Sequence, residues 1–258
     1  MSGFNPVDYR RIWIGLLSGL FTSVIMQLLM LELLARSSVD SGDGILVMQL
    51  LRIVWVSPQR MREVIWLADA LRTVLRFLTA IPVIAGLTGV LAASRHYQSA
   101  RDLYLIRFVC DAVFAFISVL LLTLDNRDIL MPDMAEESSD MLRGFITVLD
   151  LASYLVIGFT ASVKLLRGME DTLLAVGEEK RCPGLRRMRY CALILCALMV
   201  LFGAAMMVFL LLGMNWPSAP ILICFIALLL LFAARLILRA LIASEMRETA
   251  KIIREISQ

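Results

Sequence analysis

The chain has 258 residues, of which 60% are hydrophobic and 18% charged, with a mean hydropathy of +0.83, whereas soluble domains hold roughly 45 to 50% apolar and about 25% charged residues. That balance excludes an ordinary soluble domain, and a net charge of only +3 on a chain with no domain-sized soluble stretch excludes a nucleic-acid binder. Five cysteines without a C-x-x-C pair and a single histidine, His96, exclude a structural zinc site or a disulfide framework, so no metal and no cofactor is expected.

Six apolar blocks reach the length of about 20 residues that a hydrocarbon core of about 30 Å requires. They cover 12–34, 74–93, 103–124, 141–166, 191–213 and 221–243. Lipid offers no partner for backbone polar groups, so each block must be a helix. The expected fold is therefore all-α: one integral membrane domain over 1–258, a polytopic bundle of six transmembrane helices, with the lipid bilayer as its first partner.

The first block follows Arg10 and Arg11 as a signal peptide would. It is too long for such a segment and reaches Glu32 and Arg36 without a small-residue cleavage site, so it is read as a retained helix. The connection that follows is not a simple loop. Its apolar run 45–56, broken by Gln49 and Arg52, is too short to span and reads as interfacial, and the whole external segment is placed at 45–72. Beyond Pro58, Met61, Val64, Ile65, Ala68, Leu71 and Leu75 recur at helical spacing, while Arg62, Asp69, Arg72 and Arg76 form a separate charged stripe, a candidate external mouth. Opposite it, the connection 125–140 is acidic, with Arg127 its one basic residue.

Ionisable groups deep in a bilayer are costly and default to functional candidates. Asp111 in the third block and Asp150 in the fourth each lie roughly 12 to 14 Å from the nearer membrane surface at 1.5 Å per residue. Arg107 stands at i, i+4 to Asp111, the spacing of a helical ion pair. These three form a candidate midplane polar site. Arg235 and Arg239 are placed near the inner surface, where long side chains snorkel. Gly15 and Gly19 make a G-x-x-x-G that lets helices approach closely.

The fourth and sixth helices are expected to continue past the membrane, the latter as a tail over 244–256. Ser162, Leu166, Met169, Leu173 and Val176 follow 4-3 spacing, as do Ile242, Met246, Thr249, Ile253 and Ile256. These seams, 162–176 and 242–256, are expected to meet each other, a protein partner or a second copy of the chain. Glu170, Asp171, Glu248 and Lys251 are assigned to wet faces.

With the N-terminus inside, the inner connections carry fourteen Lys and Arg and the outer ones six. The positive-inside rule then puts both termini in the cytoplasm, and the membrane expected is a bacterial cytoplasmic one. Asp40 to Gly44 opens like the D-x-x-D-G motif of membrane CDP-alcohol phosphotransferases, but Val47-Met48 stands where Ala-Arg should follow, and the resemblance is rejected. No H-E-x-x-H, G-x-S-x-G or Walker A sequence occurs, so an enzyme is not expected. The leading expectation is a small-solute or ion transporter, or a permease-like subunit. The alternative is a membrane accessory, sensor or assembly protein acting through its cytoplasmic helices.

Overall fold

The computed structural model describes the backbone of residues 5–39, 58–125, 136–211 and 219–256. Among them there is no strand. The described residues form six α-helices: α1 (Pro6–Val39), α2 (Pro58–Gly89), α3 (Arg95–Asp125), α4 (Glu136–Val176), α5 (Cys182–Leu211) and α6 (Ala219–Ile256). Each expected apolar block has its own helix, although 74–93 overruns the end of α2 by a short turn and the last two residues of 191–213 lie outside the described residues. The apolar run 45–56 and most of the acidic connection lie outside the described residues, whereas 58–72 is the first part of α2.

Local sequence explains the helix ends. Asn5 caps α1, its Oδ1 accepting from the Val7 N–H at 3.1 Å, and Pro6 follows at the position where a missing N–H costs nothing. At the far end of α4, Gly177 adopts φ 87°. Its N–H bonds the Leu174 carbonyl and the Glu178 N–H bonds the Leu173 carbonyl at 2.8 Å, the double bond of a Schellman stop that only glycine enters without strain. A short 3-10 turn, Glu179–Arg181, then leads into α5.

Every helix packs on the next in sequence, and α6 packs back on α1, so the six close into a ring, with a smaller contact of α4 on α6 across it. Neighbours alternate in direction. Gly89 at the end of α2 lies against Asp8 at the start of α1, and Gly168 near the end of α4 lies against Tyr97 at the start of α3. Arg181, in the turn just before α5, reaches Glu245 and Glu248 near the end of α6. The end of the bundle where α1 begins and α6 stops is called the base.

The largest fully buried side chains gather at the base: Tyr9, Ile12, Leu87, Tyr97, Leu165, Leu166, Met169, Leu173, Leu185 and Met246. The continuations of α4 and α6 are helical and the middle of each seam is buried, with Met169 and Met246 fully enclosed and Ile253 2% exposed, whereas Ile256 at the end is exposed. One expected wet residue is not wet. Glu170 is buried, because Arg186 and Arg189 of α5 fold over it at 2.5 and 3.1 Å, and two guanidiniums can replace the water that a lone carboxylate would need.

Backbone approach between α1 and α2 is closest at Gly15 and Gly86. A Cβ on Gly86 would lie 2.5 Å from the Asp8 carbonyl oxygen and 2.9 Å from the Ile12 nitrogen, and one on Gly15 would lie 2.9 Å from the Val83 nitrogen. Gly19, the other half of the G-x-x-x-G, is ordinary by comparison, its nearest neighbour being Thr79 at 3.6 Å.

Two stretches among the described residues are long and apolar enough to cross a membrane, Glu179–Met206, which runs from the 3-10 turn into α5, and Leu222–Ile256 in α6. Only 11% and 17% of their apolar windows are buried in the protein, so these helices present their apolar surface outward, unlike the core helix of a soluble protein. Phe21, Leu78, Ile81, Phe116, Leu201, Leu230 and Ile237 are similarly exposed.

Candidate functional site

One cavity of about 80 Å³ opens inside the ring, between α1, α2, α3, α4 and α6. Its charged lining residues are Arg76, Arg107, Arg239 and Asp111, joined by the hydroxyls of Thr22, Ser23, Thr79, Ser162 and Tyr104. By this measure one water needs roughly 10 to 15 Å³. The space therefore suits several waters or one small solute.

The i, i+4 spacing of Arg107 and Asp111 produces the expected pair. The Arg107 guanidinium grips both carboxylate oxygens of Asp111, Nε meeting Oδ2 at 3.0 Å and Nη2 meeting Oδ1. Its Nη1 also donates to Ser153 on α4 at 3.3 Å. Both residues are buried. Arg76, which the sequence groups with an external mouth, comes from α2 to within 3.6 Å of the same carboxylate. An edge-to-face contact of Phe77 and Phe108, centroids 4.5 Å apart, holds α2 against α3 beside this cluster.

The remaining expected residues divide. Arg72 is half-buried on α2, while the side chains of Asp150, Arg62 and Asp69 lie outside the described residues. Sequence reasoning passed over two arginines that point inward. Arg239 lines the cavity and donates to Ser23 Oγ of α1 at 3.1 Å. Arg235 is buried one turn away, its guanidinium 4.9 Å from the Phe159 ring, a cation–π arrangement that offsets part of its desolvation. The signal was present: the seam Ile253, Thr249, Met246, Ile242 continues backwards at 3-4 spacing onto Arg239 and Arg235. Seam positions face the bundle, so these side chains do too.

Below the cavity, the base is closed by polar pins. Thr172 of α4 donates its hydroxyl to the Gly168 carbonyl at 2.9 Å, leaving its two lone pairs to accept from Tyr9 of α1 at 3.2 Å and Tyr97 of α3 at 3.1 Å. A threonine hydroxyl has one donor and two acceptor positions, and all three are used. The two phenol rings cross edge to face at 6.0 Å. Burial holds both phenols above their ordinary pKa, Tyr97 the more strongly. Beside them Ser94 donates to Asp171 at 2.5 Å.

Among the described residues no group of His, Cys, Asp and Glu could hold a metal ion. The five cysteines are free thiols. Comparison of the chain with family models, with curated proteins and with solved structures finds no match in any of the three.

Proposed function

We propose that the chain is an integral membrane protein of six spans, with both termini cytoplasmic, that carries a small polar solute through the cavity between α1, α2, α3, α4 and α6. It is a small transporter or the permease-like subunit of one. The observation that carries this reading is the cavity itself: charged side chains from three helices meet in one cavity at a level where the surrounding helices turn apolar residues outward. Charges at such depth are costly and are retained where they face a bundle interior that uses them.

The alternative, an accessory or assembly protein acting through its cytoplasmic helices, would need an apolar face to offer. The seams of 162–176 and 242–256 are instead spent inside the chain's own core, where Leu166, Met169, Leu173, Met246 and Ile253 are buried. What they leave outside includes Arg167, Arg247, Lys251 and Arg254, with Leu174 and Ile256 the exposed large apolar residues.

Cysteine labelling tests the membrane part, in a background with the native cysteines replaced. Single cysteines at Ser139 and Ser218 react with an impermeant maleimide in intact cells, while those at Glu178 and Ser257 react only after permeabilisation. Glu178 serves better than Gly177, whose φ of 87° a cysteine would strain. Protection of both external positions sinks the orientation. The cavity is tested by Thr79→Cys: a small methanethiosulfonate reagent added from one side of the membrane modifies it, and complete resistance from both sides in the folded protein sinks the solute path.

A further inference from the structure

Resting on the reading of the chain as membrane-spanning, we infer that the base of the outer face formed by α5, α6 and α1 binds the headgroups of anionic phospholipids through Arg10, Arg187 and Arg247. The solute path plays no part in it.

The three helices are neighbours in the ring, α6 packing on both α5 and α1, and each turns an apolar stripe outward. Positions seven apart stay on nearly the same side of a helix. On α5 that step joins Val208, Leu201 and Ile194, all more than half exposed, and its next member is Arg187. On α6 it joins Ile223, Leu230 and Ile237, again more than half exposed, and then Ser244 and Lys251. On α1 it joins Phe21 and Ile14, both exposed, and one turn closer to the base comes Arg10. Every stripe therefore changes from apolar to cationic as it nears the base. A membrane places that change at the boundary between acyl chains and headgroups. Trp13 marks the same depth on α1, as interfacial tryptophans do, and the Arg247 guanidinium of α6 lies 5.5 Å from its ring.

A surplus of charge decides which headgroup is bound. Over 5–11, 178–190 and 245–256 the chain holds ten Lys and Arg; against them stand six Asp and Glu, and the buried Glu170, which leaves three positive charges over. The acids have partners within the chain: Asp8 pairs with Arg11 at 3.1 Å, Glu245 with Arg181 at 4.0 Å and Glu248 with Lys251 at 2.6 Å. Arg10, Arg187 and Arg247 are exposed and form no ion pair among the described residues. The contact of Arg247 with Trp13 is to a neutral ring and leaves its charge whole. Three uncompensated guanidiniums at headgroup depth attract a net negative headgroup, and their planar forks match its phosphate oxygens. A zwitterionic headgroup carries its own ammonium and brings no net charge. A soluble anion also fits the forks, but only a phospholipid covers the apolar stripes that lead to them, because its chains and its phosphate are one molecule.

Lipid selectivity tests the proposal. The purified chain is reconstituted in phosphatidylcholine vesicles with a trace of phosphatidylglycerol or phosphatidylcholine spin-labelled on an acyl chain, and lipid held against the protein gives a motionally restricted component. Phosphatidylglycerol associates severalfold more strongly than phosphatidylcholine with the wild type, and added sodium chloride narrows the difference. Arg10→Gln, Arg187→Gln and Arg247→Gln each weaken the preference, and the triple variant loses it. Arg239→Gln removes the same charge from inside the ring and leaves the preference in place. Thermal unfolding keeps folding in view: phosphatidylglycerol nanodiscs raise the wild-type Tm above its value in phosphatidylcholine, whereas the triple variant unfolds at one temperature in both.

Equal association of the two lipids with the wild type, or a preference that survives in the triple variant, overturns the proposal and leaves the membrane reading intact. No restricted component from either label, with the chain folded, overturns the membrane reading and the proposal together.

Discussion

Replacing Thr172 by valine destabilises the protein by about 1 to 3 kcal/mol, the cost of leaving one buried donor unsatisfied. Valine preserves the volume, so no cavity term is added. The loss comes from the chemistry: Thr172 is fully buried and accepts from both Tyr9 and Tyr97, which come from two other helices. Without it the two phenols have only each other, and one O–H is stranded. Thr172→Ser keeps the hydroxyl and recovers most of the loss, whereas a general packing defect would make serine worse than valine. Thermal or denaturant unfolding of the three proteins decides between these accounts.

The same pins give the base an alkaline limit. An unfolded tyrosine releases its proton near pH 10, and burial keeps the folded phenols protonated above that point. The stabilisation is whole below pH 10 and is lost as pH rises beyond it, because the folded state then holds protons that the unfolded state has released. The slope is at most about 1.4 kcal/mol per pH unit for each phenol. Tyr97→Phe removes the steeper contribution, so its stability above pH 10 falls more slowly than that of the wild type; parallel curves would contradict the buried hydroxyl arrangement.

The largest effect belongs to Gly86→Ala, expected to cost about 3 kcal/mol, at the upper end for overpacking. The added methyl meets backbone of the neighbouring helix, the Asp8 carbonyl oxygen at 2.5 Å and the Ile12 nitrogen at 2.9 Å. Backbone cannot rotate away as a side-chain tip can, so α1 and α2 must separate along their whole contact. Gly15→Ala meets the Val83 nitrogen at 2.9 Å and behaves similarly. Gly19→Ala gives the opposite result. It finds only ordinary contact with Thr79 and gains the roughly 0.5 to 1 kcal/mol that alanine brings to a helix interior. If Gly19→Ala proves as harmful as Gly86→Ala in steady-state unfolding or folded yield, the helix contact is not where the structure puts it.

The six helices were legible because apolar block length is a strong constraint, and each block has its helix. The α4 and α6 extensions were legible for a similar reason, since 4-3 spacing reports a buried face wherever a helix runs. The Arg107 and Asp111 pair was legible from i, i+4 spacing alone. What the sequence hid was depth and company. Arg76 was grouped with Arg62, Asp69 and Arg72 by helical stripe, yet a stripe does not say where along the helix axis a neighbour's carboxylate will sit. Distance to the helix end reads Arg235 and Arg239 as snorkelling residues, although the seam that buries Met246 continues onto them. Helical spacing places Glu170 in water because its two partners lie 16 and 19 residues away on α5, beyond the reach of any local pattern. The cavity could not be read at all, since it exists only where α1, α2, α3, α4 and α6 close around it.

The most direct test of the account is flux. Liposomes reconstituted with the purified chain, its folded state checked by unfolding, are given labelled phosphate, succinate, choline or xylitol on the outside. The account predicts that at least one of the four enters faster than into protein-free liposomes, and that Arg239→Gln changes this entry while remaining folded. Entry of all four solutes at the protein-free rate, with the wild-type bundle folded in the membrane, would contradict it.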